Sequence, residues 1–260
     1  MNSCESTRKT IVLLLACLSA LAISAPAREA SAALSVLPDR VEIGTFYRGC
    51  RVAVSAVIPA GAEAVVEVVG QAPPQKLLRK GRRGGLWMNV GETEVTGAPS
   101  LYLAMSTNSE LLSESPLDSP WGYGALAHEV TFSGKLSDEE QANLLREFIR
   151  LKESEKLFGM FPGGLTLSPA ADGQWNVSGT FFLPSTVKPD TYKVSLSVVR
   201  AGTIVARSHE ELTVAMVGFP AMLWKLAWNH GVIYGIVAVV IALLTGFVTG
   251  YVFKKGAGGH

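Results

Sequence analysis

The sequence predicts a mainly β protein: two immunoglobulin-like β-sandwich modules with an inserted α-helix, followed by one C-terminal transmembrane helix. Three observations carry this reading. Short runs that alternate apolar and polar residues, such as "RVAVSAVI" and "SLYLAMS", recur between turn residues from position 34 to 107 and again after 159. The stretch "SDEEQANLLREFIRLKESEKLFG" between them has helical periodicity instead. Near the C-terminus, "GVIYGIVAVVIALLTGFVTGYVF" is apolar throughout.

Residues 1–32 read as a secretory signal peptide, with a basic start, an apolar stretch from Ile11 to Ile23, and Ala-x-Ala triplets ending at Ala27 and Ala32. Cleavage after Ala25, Ala27 or Ala32 fits equally. The stretch falls short of the roughly 20 apolar residues a span needs, which argues against an uncleaved anchor. A lipoprotein signal ending at Cys17 fits poorly, because the apolar stretch continues past it.

Residues 33–107 then read as a first sandwich of about seven short strands, a count and spacing typical of immunoglobulin-like architecture. Removal of Cys4 and Cys17 with the signal leaves Cys50 without a disulfide partner in the chain. In "CRVAVSAV" it alternates onto the face of Val52, Val54 and Ala56, as a small buried hydrophobe would. Residues 108–127, rich in Ser, Pro and Gly, read as a connector.

Residues 128–219 read as a second, smaller sandwich, with a helix over 137–158 inserted after its first strand, "HEVTFSG". Ser137 followed by Glu140 forms a capping box, Asp138, Glu139 and Glu140 suit the dipole at a helix start, and Gly159 is the expected stop. Leu144, Leu145, Phe148, Ile149 and Leu151 make an apolar stripe for packing on a sandwich. "PDTYKVSLSVVRAGTIV" reads as a hairpin turning at Ala201 and Gly202, with either Tyr192, Val194 and Leu196 or their neighbours buried.

Residues 231–253 span about 34 Å as a helix, enough for one crossing with some tilt. Trp224, Trp228 and Tyr234 suit the aromatic belt at one membrane interface, within or beside an interfacial segment 220–230. Lys254 and Lys255 follow the span, so the positive-inside tendency makes 254–260 a cytoplasmic tail and puts residues 33–219 outside. Gly231 with Gly235 and Gly246 with Gly250 have small-xxx-small spacing, continued by Ala238 and Ala242, which suits packing against another helix.

The whole chain has a formal net charge of +1. Residues 33–219 hold 17 Lys or Arg against 20 Asp or Glu, a balance of −3, which speaks against nucleic acid as a partner. "KLLRKGRRGGLWMN" is the local exception, with Lys76, Arg79, Lys80, Arg82 and Arg83 leading into Trp87. It reads as a hairpin tip with Gly81, Gly84 and Gly85 at the turn. Such a tip is either a solvated surface or a contact for an acidic partner or anionic lipid.

The pattern through "VEIGTFYRG", "RRGGLWMNVGE", "APSLYLAMST", "LREFIRLKESEKLF", "TYKVSLSVVRAGTIVA" and "VGFPAMLWKLAWNHGVIYGIVAVVIALLTGFVTGYVFKK" resembles an uncharacterised family of proteobacterial transmembrane proteins first described from alphaproteobacteria. The resemblance covers nearly all of the chain after the signal. It implies an inner-membrane protein with a periplasmic portion, and an association with sulfite-exporter-like permeases.

Hydrolase elbows, zinc-protease, Cys-x-x-Cys and phosphate-loop motifs do not occur. His128, His209, His230 and His260 have no ligand spacing, so no catalytic residue, metal or cofactor is expected. The expectation is a non-enzymatic accessory subunit docked on an integral membrane partner or on copies of itself. A periplasmic anion-binding or sensing module using loop 76–83 comes second, and a periplasmic hydrolase third.

Overall fold

The computed structural model describes residues 33–112, 120–134 and 136–256. The signal peptide, part of the connector and the end of the tail lie outside them. Alternation in the sequence becomes alternation of burial. Strand β3 (Cys50–Pro59) buries Val52, Val54, Ala56 and Ile58 and turns the residues between them outward. Cys50 lies on the expected face but only half-buried, because it opens the strand.

Strand β3 pairs with β1 (Leu34–Leu37) on one side and with β11 (Gln174–Leu183) on the other, and β10 (Thr166–Pro169) closes this four-stranded sheet. A six-stranded sheet has the order β2 (Arg40–Ile43), β13 (Thr203–Met216), β12 (Asp190–Arg200), β4 (Glu63–Val69), β7 (Tyr102–Ser106) and β9 (Phe158–Phe161). The apolar faces of both sheets share one core. Val54 and Phe181 come from the first, and Val66, Leu103, Tyr192, Val194 and Leu196 from the second. The two sheets come close at Gly179, where an added β-carbon would lie 3.1 Å from the Met105 sulfur.

This topology corrects the two-module expectation. Strands of the first half, β3 and β4, pair directly with β11 and β12 of the second half. Alternation dictates which face of a strand is buried but not which strand lies beside it. "HEVTFSG" is also corrected: its first two residues end helix α1 (Gly122–Glu129), and only β8 (Thr131–Phe132) is extended. That short strand joins a third sheet, β5 (Gln75–Arg83), β6 (Leu86–Thr96) and β8, rather than opening a second sandwich. The described part of the connector is a 3-10 turn at Ser109–Leu112 and most of α1, not irregular chain.

Helix α2 (Asp138–Ser154) starts as expected, with both halves of the Ser137–Glu140 capping box formed. It ends before Gly159. Lys156 takes the left-handed conformation at φ 59°, with Leu157 N–H donating to the Lys152 carbonyl and Lys156 N–H to that of Glu153. This is a Schellman stop built on lysine. Phe148 is buried and Leu144, Leu145 and Ile149 are half-buried, whereas Leu151 is exposed. The stripe covers the outer face of the six-stranded sheet, where the Phe148 ring lies 5.8 Å from Phe158, and Phe158 lies 6.1 Å from Tyr102.

The β12–β13 hairpin turns at Ala201 and Gly202, both at positive φ, and buries Tyr192, Val194, Leu196 and Val198. Strand β13 leads into helix α3 (Gly218–Asn229). His230 then separates α3 from helix α4 (Gly231–Gly256).

Candidate interaction surfaces

Strands β5 and β6 form a long ribbon. The tip is narrower than expected: Gly84 and Gly85, at φ 59° and 83°, are the whole turn, while Gly81 lies in the ladder opposite Met88. Cross-strand register sorts the side chains by face. Arg82 lies opposite Trp87 and Arg83 opposite Leu86, so each face of the ribbon near its end carries one arginine and one apolar residue. Arg79 and Lys80 pair with Gly91 and Asn89, on either side of a bulge. All residues from Arg82 to Asn89 are exposed, Trp87 by 73%.

The base of the ribbon differs electrostatically from its end. Lys76 Nζ lies 2.8 Å from Glu92 Oε1, a contact that raises the lysine pKa by hydrogen bonding and charge. Among the described residues, Arg82 and Arg83 make no ion pair. The six residues expected to act together thus divide. Lys76 is committed to a neighbouring glutamate, whereas Arg82, Arg83 and Trp87 point to the surroundings.

A polar group that the sequence did not reveal lies on the outer face of the six-stranded sheet. Tyr102 hydroxyl donates to Glu67 Oε1 at 2.5 Å and accepts from Gly122 N–H at 2.7 Å, tying α1 to the sheet. Burial holds the Glu67 carboxyl above its ordinary value of 4.5, against opposing pulls from the Tyr102 hydrogen bond and the Arg207 charge. Burial and the adjacent Glu67 also push the Tyr102 phenol up. The signal available was a lone glutamate inside the apolar run "AVVEVV".

Because the folded chain binds the Glu67 proton more tightly than the unfolded chain, this group contributes fully below pH 4.5. The contribution is lost as pH rises through the folded value. Glu67→Gln keeps an acceptor for Tyr102 without the titration. The variant is therefore expected to gain stability relative to the parent between pH 4.5 and pH 7, measured by thermal unfolding in detergent. An identical difference at both pH values would show that Glu67 does not titrate in this way.

The membrane elements follow. Within helix α4, the 23 residues Gly231–Phe253 are long and apolar enough to cross a bilayer, and none of them is buried against the rest of the protein. Thr245 satisfies its hydroxyl internally, donating to the Ile241 carbonyl at 2.8 Å. At 3.6 residues per turn, Gly231, Gly235, Ala238, Ala242, Gly246 and Gly250 share one side of the helix. Ala242, Gly246 and Gly250 line a groove of about 540 Å³ together with Leu243, Phe247 and Tyr251.

On α3, Trp224 and Trp228 are exposed and meet edge to face at 6.0 Å, one helical turn apart. Tyr234 begins the second turn of α4, its N–H bonded to the His230 carbonyl. Lys254 and Lys255 occupy the last turn of the same helix. Residues 220–229 of the segment expected at the interface, 220–230, are helical and belong to α3, which begins two residues earlier.

Sequence reasoning missed the exposure of Phe46, Leu86 and Met88, at 89%, 69% and 45%. Phe46 lies between two glycines in "GTFYRG", a signal of a turn rather than a strand. No curated protein matches the chain. A family model does, over residues 31–255, and with the apolar α4 helix it supports membrane localisation. The chain belongs to the family described as "Putative transmembrane protein (Alph_Pro_TM)".

Proposed function

We propose that this is a single-span inner-membrane protein with its β-rich portion in the periplasm and its C-terminus in the cytoplasm. It acts as a non-enzymatic accessory subunit of a membrane complex. The observation that carries the reading is the small-residue side of α4 and its groove, which suits a second helix in the bilayer. That helix belongs to an integral membrane partner, for which a sulfite-exporter-like permease is the first candidate, or to another copy of the chain. Two carboxylates have structural partners, in keeping with a non-enzymatic role. Glu67 is bonded to Tyr102, and Glu140 closes the capping box of α2.

The test is crosslinking and pull-down from native membranes, comparing the parent with Gly246→Leu/Gly250→Leu. The double variant is expected to lose most of the crosslinked product while its β-rich portion stays folded, because added bulk prevents close helix approach. Unchanged crosslinking would remove this side of α4 from the interface. Arg82 and Arg83, at the ribbon end and without an ion pair among the described residues, favour a second reading as an anion-binding module.

A further inference from the structure

Strand registers show that the ribbon and the membrane anchor leave the sandwich at the same end. Strand β13 exits at Met216, and its Val214 lies opposite Asp190, the first residue of β12. Near that end of β12, Lys193 pairs with Val69, the last residue of β4, and Val69 pairs with Tyr102, the first of β7. The ribbon is inserted between β4 and β7 there. Gly70 N–H donates to the Leu101 carbonyl at 2.9 Å and Ser100 N–H to that of Gln71 at 2.7 Å, so the β4–β7 ladder continues into its base.

Strand β2 ends there too, with Ile43 opposite Met216, which puts the exposed Phe46 in a loop at the anchor-side end. The turn at Ala201 and Gly202 marks the opposite end. Helix α3 is about 18 Å long at 1.5 Å per residue, so it keeps the anchor-side end close to the start of the span. Nine extended residues give the ribbon a reach of about 30 Å, longer than this leash.

We propose that the β5–β6 ribbon end and the Phe46 loop seat in the headgroup layer of the membrane that α4 spans, with Arg82 and Arg83 on anionic lipid phosphates. The inference rests on the single-span reading and not on any protein partner. Three features select lipid as the occupant. Apolar residues lie on both faces of the ribbon end, Trp87 on one and Leu86 and Met88 on the other. A protein groove covering one face would leave the other wet, whereas a bilayer interface surrounds both. Trp and Arg are suited to that layer, the ring at headgroup depth and the cation on phosphate. The exposed aromatics of α3 and Phe46 belong to the same end of the molecule.

The experiment uses the full chain alone in bilayers of phosphatidylcholine, with or without phosphatidylglycerol. In a Cys4→Ser/Cys17→Ser/Cys50→Ala background, a fluorophore is placed singly at Leu86→Cys, Phe46→Cys or Thr203→Cys, and quenching by headgroup spin-labelled lipid is read. Positions 86 and 46 are expected to be quenched, more strongly with phosphatidylglycerol, and position 203 to be silent. Neutralising Arg79, Lys80, Arg82 and Arg83 to Gln is expected to lower the seated-to-free ratio at position 86 in anionic bilayers roughly ten-fold or more.

Silence at position 86, or quenching at position 203 equal to it, overturns the proposal. Seating that survives the Gln changes with its salt dependence intact overturns the assignment of the arginines to lipid phosphate. Protection of position 86 that appears only after extracted membrane proteins are added makes the occupant a protein, and the proposal falls. Because the bilayer holds this chain alone, failure here leaves the crosslinking test of the accessory-subunit reading untouched.

Discussion

A reporter active only in the periplasm, fused after Val217, is expected to work, and the same reporter fused after Lys255 to be silent. Val217 is the residue before α3, and Lys255 is in the last turn of α4, so the two fusions bracket the one candidate span among the described residues. The expected direction follows from Lys254 and Lys255, since cationic residues beside a span tend to be retained on the cytoplasmic side. Lys225 on α3 is the single described cation beside the other end, where Trp224 and Trp228 suit an aromatic belt. The expected effect is all or none, and activity after Lys255 with silence after Val217 would invert the topology. A reporter active at both sites would remove the span.

The second large effect is expected at Gly97, which links the ribbon to the strand that follows it. Its φ is 77°, and an added β-carbon would lie 1.9 Å from the backbone carbonyl oxygen of Glu129 at the end of α1. Nearby, Glu94 and Ser133 exchange two 2.8 Å hydrogen bonds, and the Thr96 and Thr131 hydroxyls meet at 2.6 Å. Gly97→Ala must therefore strain the backbone and also push α1 and β8 away from β6. Left-handed geometry alone costs a non-glycine residue about 1–2 kcal/mol, and the clash raises the expected loss to about 3 kcal/mol. At this chain length that lowers the midpoint of thermal unfolding by roughly 10 °C. Gly61→Ala is the control, because Gly61 has a similar φ of 72° with nothing within 4 Å of the added carbon. Equal losses at the two positions would show that the Glu129 contact is not rigid.

What could be read from sequence was what neighbours in the chain decide. The capping box at Ser137 and Glu140, the Ala201–Gly202 turn, the buried side of β3 and the extent of α4 each depend on residues a few positions apart. Strand partnership does not. "RVAVSAVI" pairs with "QWNVSGTFFL" more than a hundred residues later, and both would look the same in two separate modules. The helix stop at Lys156 was hidden because lysine rarely takes positive φ, and Gly159 offered a more obvious signal. At the ribbon, composition revealed the cations, but only register separates Lys76 beside Glu92 from the arginines at the end, and only topology shows that the ribbon leaves the sheets at the end where β13 leads to the anchor.

The pairing of β3 with β11 and β4 with β12 also governs when this protein can fold. A chain emerging N-terminus first presents β1 through β7 long before their central neighbours exist, and contacts so distant in sequence form slowly. The six-stranded sheet gains its last strand, β13, only two residues before α3 begins. The last long strand is therefore complete only just before the C-terminal helices follow it. Until β11 and β12 emerge, "RVAVSAVI" and "AVVEVV" each lack one of their two neighbours and leave an open strand edge, exposed to capture by a holding chaperone or to aggregation. The span therefore follows closely on completion of the β-rich portion, and a chain that stops before β13 lacks both its anchor and an interior strand of the six-stranded sheet.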